Sequence, residues 1–258
     1  MKKIQLILLL LIAGTIAMTD PYGLVDDGPQ KKSKKKQNDS TQIITTNLEG
    51  TGQEIILKFT KGPEHNHPLM AVWVEDTAGK YIQTLYVAKS IATGIFNYGD
   101  ATTGQWTQGE KRRPAALPYW SHKRGIKADD GLYLPTPDQP IPDAYTGATP
   151  KNDFELVTRL DTESLQVFNI LFEINQPWDW NEYWSNAKYP DDYEYKTSSQ
   201  PALVYQTKID LDSGKKKYEM QLIGHSHYSG KNGELYEDTS TLTTALEITK
   251  DIKVIIGQ

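Results

Sequence analysis

Leu69-Met70-Ala71-Val72-Trp73-Val74 is an unbroken apolar run of strand length, followed by the turn cluster Glu75-Asp76-Thr77-Ala78-Gly79-Lys80 and a second apolar stretch over 81–87. A continuous run of this kind suits a strand covered on both faces, and two runs joined by a Gly- and Asp-bearing turn read as a β-hairpin. The same pattern extends outward. Ile55, Leu57 and Phe59 alternate along one face of a strand, and Phe154, Leu156 and Leu160 continue the alternation. Residues 164–175 form a long strand, with Phe168, Ile170, Phe172 and Ile174 on one side and Leu165, Val167 and Leu171 on the other. Segments 202–209 and 216–223 flank Asp210-Leu211-Asp212-Ser213-Gly214 as a second hairpin, and Ile248, Ile252, Val254 and Ile256 end the chain in strand. No window of eleven residues carries helical periodicity, although 181–188 allows one short helix. Many short strands punctuated by Gly, Pro and Asp predict an all-β, antiparallel β-sandwich. Two stretches fall outside that pattern, near 89–150 and 176–201. They are rich in Pro, Gly and aromatic residues and are read as long loop insertions in one domain over 43–258.

The N-terminus reads as an address. Met1-Lys2-Lys3 is basic, Ile4 to Ile12 is apolar apart from Gln5, and Thr15-Ile16-Ala17 fits a signal-peptidase site, with cleavage after Ala17. Residues 1–17 are therefore a signal peptide, and the rest is expected to be periplasmic or otherwise extracytoplasmic, soluble after cleavage. Residues 18–42 hold Lys31, Lys32, Lys34, Lys35 and Lys36 with few core-forming side chains, as in a Lys-rich disordered linker. No later run approaches the ~20 apolar residues of a membrane span.

Composition removes several chemistries. Of 258 residues, 28 are Lys or Arg and 33 Asp or Glu, a net charge of −5. The leader and linker hold a basic excess, so 43–258 is more acidic still and a poor partner for nucleic acid, whose affinity rests on neutralising phosphate. There is no cysteine. That excludes disulfides, Cys-ligated zinc, iron–sulfur clusters, thiol catalysis and the lipid-bearing Cys of a lipoprotein. No Ser-His-Asp set, phosphate loop or dinucleotide fingerprint is present, and nothing in the pattern points to an enzyme.

Two blocks carry a resemblance. Ala71-Val72-Trp73-Val74-Glu75-Asp76-Thr77-Ala78-Gly79-Lys80 with Thr84-Leu85, and Asp143-Ala144-Tyr145-Thr146-Gly147-Ala148-Thr149-Pro150, resemble domain-of-unknown-function family 2271, found in exported bacterial proteins. The family is similar to the immunoglobulin-like module of flagellar hook-capping proteins, so the resemblance implies an immunoglobulin-like version of the sandwich. Where many members continue with a Gly-rich segment bearing Trp-Asp-Gly, this chain has Lys151-Asn152-Asp153-Phe154-Glu155. The resemblance also implies company: a flavin transferase, and a membrane redox or haem-reductase protein. The second block resembles the acceptor motif of covalently flavinylated proteins, which implies Asp143, Thr146, Gly147 and Ala148 as the motif around Thr149, the residue that takes FMN through a phosphoester. The residue types suit the task, because a hydroxyl must reach a diphosphate held elsewhere and small neighbours clear the approach. The same residues also make an ordinary turn entering the next strand.

Two further constellations compete. His65-Asn66-His67 and His225-Ser226-His227 are His-x-His pairs, which on extended backbone face one way and can chelate a divalent metal or haem iron, with Glu64 and His122 as further ligands. Trp178, Trp180, Tyr183 and Trp184, set among Asp179, Asn181 and Glu182, suit a carbohydrate-binding or adhesion surface, or alternatively a loop packing its own aromatics. The acidic pairs Asp129-Asp130 and Asp191-Asp192 read as solvated turns. Taken together, the expectation is an exported, non-catalytic accessory protein of an extracytoplasmic redox or iron/haem system, with a metal- or haem-binding module and a carbohydrate-binding module as rivals.

Overall fold

In the computed structural model the described residues are 41–142 and 145–257. The signal peptide expected at 1–17 and most of the Lys-rich segment expected at 18–42 lie outside them, as does Asp143. Strand β3 (Leu69–Glu75) is buried along its whole length and pairs antiparallel with β4 (Tyr81–Ala88). The turn between them is built by Asp76, whose carboxylate accepts the backbone N–H groups of Ala78 and Lys80, and by Gly79 at φ 80°, a conformation that favours glycine.

On its other side β3 pairs with β9 (Val167–Asn175), and the sheet extends to β10 (Leu203–Asp210) and β12 (Gln221–His225). Beyond β4 it ends in the two-residue parallel strand β7 (Thr146–Gly147). A second sheet has the order β1 (Gln42–Thr45), β8 (Phe154–Arg159), β2 (Glu54–Lys61), β13 (Thr249–Ile256) and β11 (Lys217–Glu219), with β1 and β8 parallel. Ile55, Leu57 and Phe59 of β2, with Phe154, Leu156 and Val254, face Val72, Val74, Ile170 and Phe172 of the first sheet in one apolar core.

The outer face of the six-stranded sheet is also covered. Leu69, Ala71, Trp73 and Leu171 pack under α1 (Lys89–Thr93) and α2 (Pro118–Arg124), with Leu134 and Ile141 completing this second core. The small hairpin β5 (Ile95–Asp100) and β6 (Thr107–Glu110) stands apart from both sheets, and α3 (Tyr193–Ser198) lies in the 176–201 stretch. The expected all-β, antiparallel immunoglobulin-like β-sandwich is therefore corrected. The chain is mixed α/β, with open mixed sheets, two parallel strand pairs and a helix-bearing layer where loops were expected. The helices escaped notice because each is only five to seven residues long, too short for a 3.6-residue period to show. The helix expected at 181–188 is not formed; α3 starts at Tyr193, where Asp192 accepts the Tyr195 backbone N–H as an N-cap. The second hairpin is also revised. The strand expected at 216–223 divides at Met220, with β11 joining one sheet and β12 the other. Among the described residues no helix is long and apolar enough to cross a membrane.

Glu173, fully buried in β9, fastens the helix layer. Its two carboxylate oxygens accept the backbone N–H groups of Tyr119 (3.1 Å) and Trp120 (2.7 Å) in the first turn of α2. Burial pushes the carboxyl up to about 8, against the pull of those two donors and of the Ser226 hydroxyl. Because the folded value lies above the ordinary 4.5, this group's contribution to stability is complete below pH 4.5, declines as pH rises, and is gone above about 8. The expected outcome is that the melting temperature of the wild type falls more steeply across this window than that of Glu173→Gln. Superimposable slopes in a pH series of thermal melts would refute the linkage.

Candidate functional site

Tyr86 organises the edge on which the acceptor-like block lies. It is buried in β4, and its hydroxyl donates toward the carbonyl oxygens of Gly147 (3.3 Å) and Ala148 (3.1 Å). Parallel pairing of Val87 with Thr146 and of Ala88 with Gly147 lays the segment along β4. A Cβ on Gly147 would stand 2.9 Å from the Tyr86 ring, so the glycine permits a backbone approach that any other residue would push apart. Ala148 is exposed, Thr149 half-buried and Pro150 buried. Lys61 fixes the continuation: its backbone N–H donates to the Asp153 carboxylate and its Nζ to the Asn152 side-chain oxygen.

Thr149 and Ala148 line a cleft of about 610 Å³. Its other walls come from distant parts of the chain. His67, Lys89 and Lys151 supply the basic groups, Ile95 and Tyr98 of β5 an apolar and aromatic side, and Ser90, Thr93, Asn97 and Gln108 neutral polar groups. His67 adopts φ 56° and its Nδ1 lies 2.9 Å from the Asn66 side-chain oxygen. Backbone strain at a non-glycine residue beside a cleft is an observation from which function can be argued. The cleft is open, and it has neither a Gly-rich loop nor a long helix to hold a nucleotide. Within the block, Gly147 and Ala148 give their carbonyls to Tyr86 and Thr146 its backbone to β4.

The two His-x-His pairs are not gathered into one cluster. Among the described residues no group of three or more His, Asp or Glu side chains is placed to hold an ion. The His65-Asn66-His67 segment is irregular, with a bend at 66–67, rather than a strand, so the alternation that would aim both rings one way is lost. His65 packs against Phe59, ring centroids 5.6 Å apart, and burial lowers its pKa. His67 lines the Thr149 cleft. His225 stacks on Tyr236 at 5.4 Å, and His227 on Tyr228 at 4.4 Å with its Nδ1 accepting the Ser229 N–H. His122 holds the Pro118 carbonyl through Nδ1 at 2.8 Å. Glu64 contributes its backbone carbonyl to Gln176.

The aromatic residues of 178–184 do not form a platform. Trp184 is only 6% exposed, with its indole N–H on Thr241, and Trp180 packs edge-on against buried Tyr195. Trp178 is exposed, while the outer face of Tyr183 carries the Lys188 ammonium 3.1 Å from its centroid. Tyr189 and Tyr228, stacked at 4.2 Å, extend this self-packed knot. The acidic pairs are structural: Asp130 holds Arg112 and caps a turn at Leu132, and Asp192 caps α3 and meets Lys231 at 3.1 Å.

Sequence reasoning missed Tyr86, Lys89, Tyr98 and Lys151. Tyr86 sits in the continuously buried run of β4 like any core residue, and the other three meet only through the fold. Comparison of the chain with family models, with curated proteins and with solved structures finds no match, so the family resemblance rests on its two quoted blocks alone.

The packing of Gly147 on Tyr86 makes a testable claim. Gly147→Ala is expected to destabilise the protein by about 1–3 kcal/mol through overpacking. Tyr86→Phe, which keeps the ring and loses the hydroxyl, is expected to cost about 1 kcal/mol. Denaturant midpoints measure both, and an unchanged midpoint for Gly147→Ala would contradict the close approach.

Proposed function

We propose that this chain is an exported, non-catalytic carrier serving an extracytoplasmic redox or iron-reducing system, and that Thr149 is the residue through which it carries FMN. The observation that carries the reading is the position of Thr149. It follows a segment pinned by Tyr86, is itself partly solvent-accessible, and stands on the wall of a cleft bearing Lys89 and Lys151. The donor set fits the group, since a phosphodiester beside ammonium groups is stabilised, and Ala148 leaves the approach to the hydroxyl uncrowded.

In the attachment step the Thr149 Oγ–P bond forms at the FMN-side phosphorus of FAD. The bond from that phosphorus to the bridging oxygen of the diphosphate breaks, AMP leaves, and the hydroxyl proton passes to a base of the partner transferase. Nothing is oxidised or reduced in this step. Bound flavin supplies electron-transfer chemistry that a cysteine-free chain lacks. The chain's own residues orient the acceptor: Tyr86 and β4 fix the backbone, and Gly147 keeps it close. Export through residues 1–17, a flavin transferase and a membrane redox or haem-reductase partner complete the reading, on the strength of the leader sequence and the resemblance.

Expression of the full precursor in a bacterium, with and without a co-expressed flavin transferase, tests it by intact mass and in-gel flavin fluorescence. An FMN-sized mass gain is expected only with the transferase, retained in Thr149→Ser and absent in Thr149→Ala. No gain in the wild type, with the transferase active on a second acceptor, would overturn the assignment.

A further inference from the structure

The β5–β6 hairpin presents a feature that packing does not explain. Tyr98 is 71% exposed and makes no ring contact among the described residues, yet it lines the same cleft as Thr149, with Ile95 beside it. Basic groups are gathered in the same place: Lys89 opens α1 directly after β4, Lys151 follows Thr149 by two residues, and His67 lines the same cleft. An exposed aromatic face next to basic groups is a complementary arrangement for a planar ring that carries a phosphate. The volume, about 610 Å³, falls within the range of roughly 300–1,000 Å³ that small-molecule sites occupy.

We infer that the flavin attached at Thr149 folds back into this cleft, its isoalloxazine against Tyr98 and Ile95 and its phosphodiester beside Lys89 and Lys151. The inference rests on the Thr149 attachment proposed above. An open cleft with one exposed ring and solvent-facing lysines gives a free flavin little affinity, because exposed charge pairs are screened and weak. A tether changes that balance. A group attached to the wall of the cleft meets it at an effective concentration of the order of mM, so contacts too weak to capture a free ligand suffice to seat a bound one. The seat sets how much of the ring is exposed to solvent and to an electron partner, leaving one edge accessible and one face covered.

The test uses the FMN-loaded full chain, compared folded and in urea, where the attachment persists and the cleft does not. In the folded wild type the flavin fluorescence is expected to be quenched severalfold relative to the urea state and protected from iodide. Tyr98→Ala, an exposed position whose loss leaves the core intact, is expected to restore the fluorescence severalfold at unchanged mass gain. Lys89→Glu with Lys151→Glu is expected to restore iodide access. Equal fluorescence and equal iodide quenching in the folded and urea states, or a Tyr98→Ala protein indistinguishable from wild type, would overturn the seat while leaving attachment standing. Absence of the mass gain in the wild type would remove attachment, and the seat with it.

Discussion

The Glu173 carboxylate lies inside the outer apolar layer at zero exposure, with the α2 backbone N–H groups of Tyr119 and Trp120 as its partners. A buried carboxyl left without hydrogen-bond partners costs about 1–3 kcal/mol, so this group is tolerable only while α2 stays where it is. The constraint propagates. With α2 fixed on β9, Trp120 reaches over β4 to give its indole N–H to Thr84, and Lys123 meets the buried Glu75 carboxylate, which also accepts the Trp73 indole N–H. α2 is thereby stitched to the six-stranded sheet by polar groups on both sides. Specificity of placement, rather than net stability, is the well-attested use of such buried polar contacts.

Placement of that layer determines what lies beside it. Ala92 and Ile141 belong to the second core, and the Ile141 N–H bonds the Ala92 carbonyl, so the chain leaves the layer at a fixed point next to α1. From there it can reach the β4 edge as β7, and the Tyr86 hydroxyl takes the two carbonyls that follow. The Thr149 cleft is the seam between the outer layer and this edge strand. Its basic and aromatic walls are consequences of where α1 and β5 end up.

Much of the strand content was legible because one-sided strands must alternate and two-sided strands cannot. Ile55, Leu57 and Phe59 fill one face of β2, whereas β3 is apolar from Leu69 to Val74 because cores lie on both sides of it. That last point already implied a second covering layer, and a purely two-sheet reading left the outer face of Trp73 and Leu171 without a partner. Helices of five to seven residues carry too little period to identify what supplied it. Met220 hid a change of sheet in an alternation that both sheets accept, since the pattern records burial and not the neighbour that buries. In the candidate site, the Thr149 block was visible because it is local. The His-x-His reading assumed extended backbone, whereas the bend at 66–67 sends His65 against Phe59 and His67 to the Thr149 cleft. Tyr98 and Lys89 had no local signature at all, since their meeting with Thr149 spans some fifty residues of chain.

An acceptor hydroxyl faces opposed demands. It must leave the protein surface far enough to enter another active site, and yet sit in a segment ordered enough to be presented in one orientation. A loop meets the first demand and a central strand the second. Here β7 is an edge strand of two residues, enough to set direction and too short to withdraw Thr149 into the ladder. Order comes from behind: the Tyr86 hydroxyl satisfies the carbonyls of Gly147 and Ala148 from the core side, so these backbone groups are paired without any side chain intruding on the outer approach. Gly147 is required by the ring beneath it, and Ala148 adds only a methyl group next to the hydroxyl. Opening such a short ladder exposes little apolar surface and breaks few bonds, so the segment belongs to the low-stability end of the molecule.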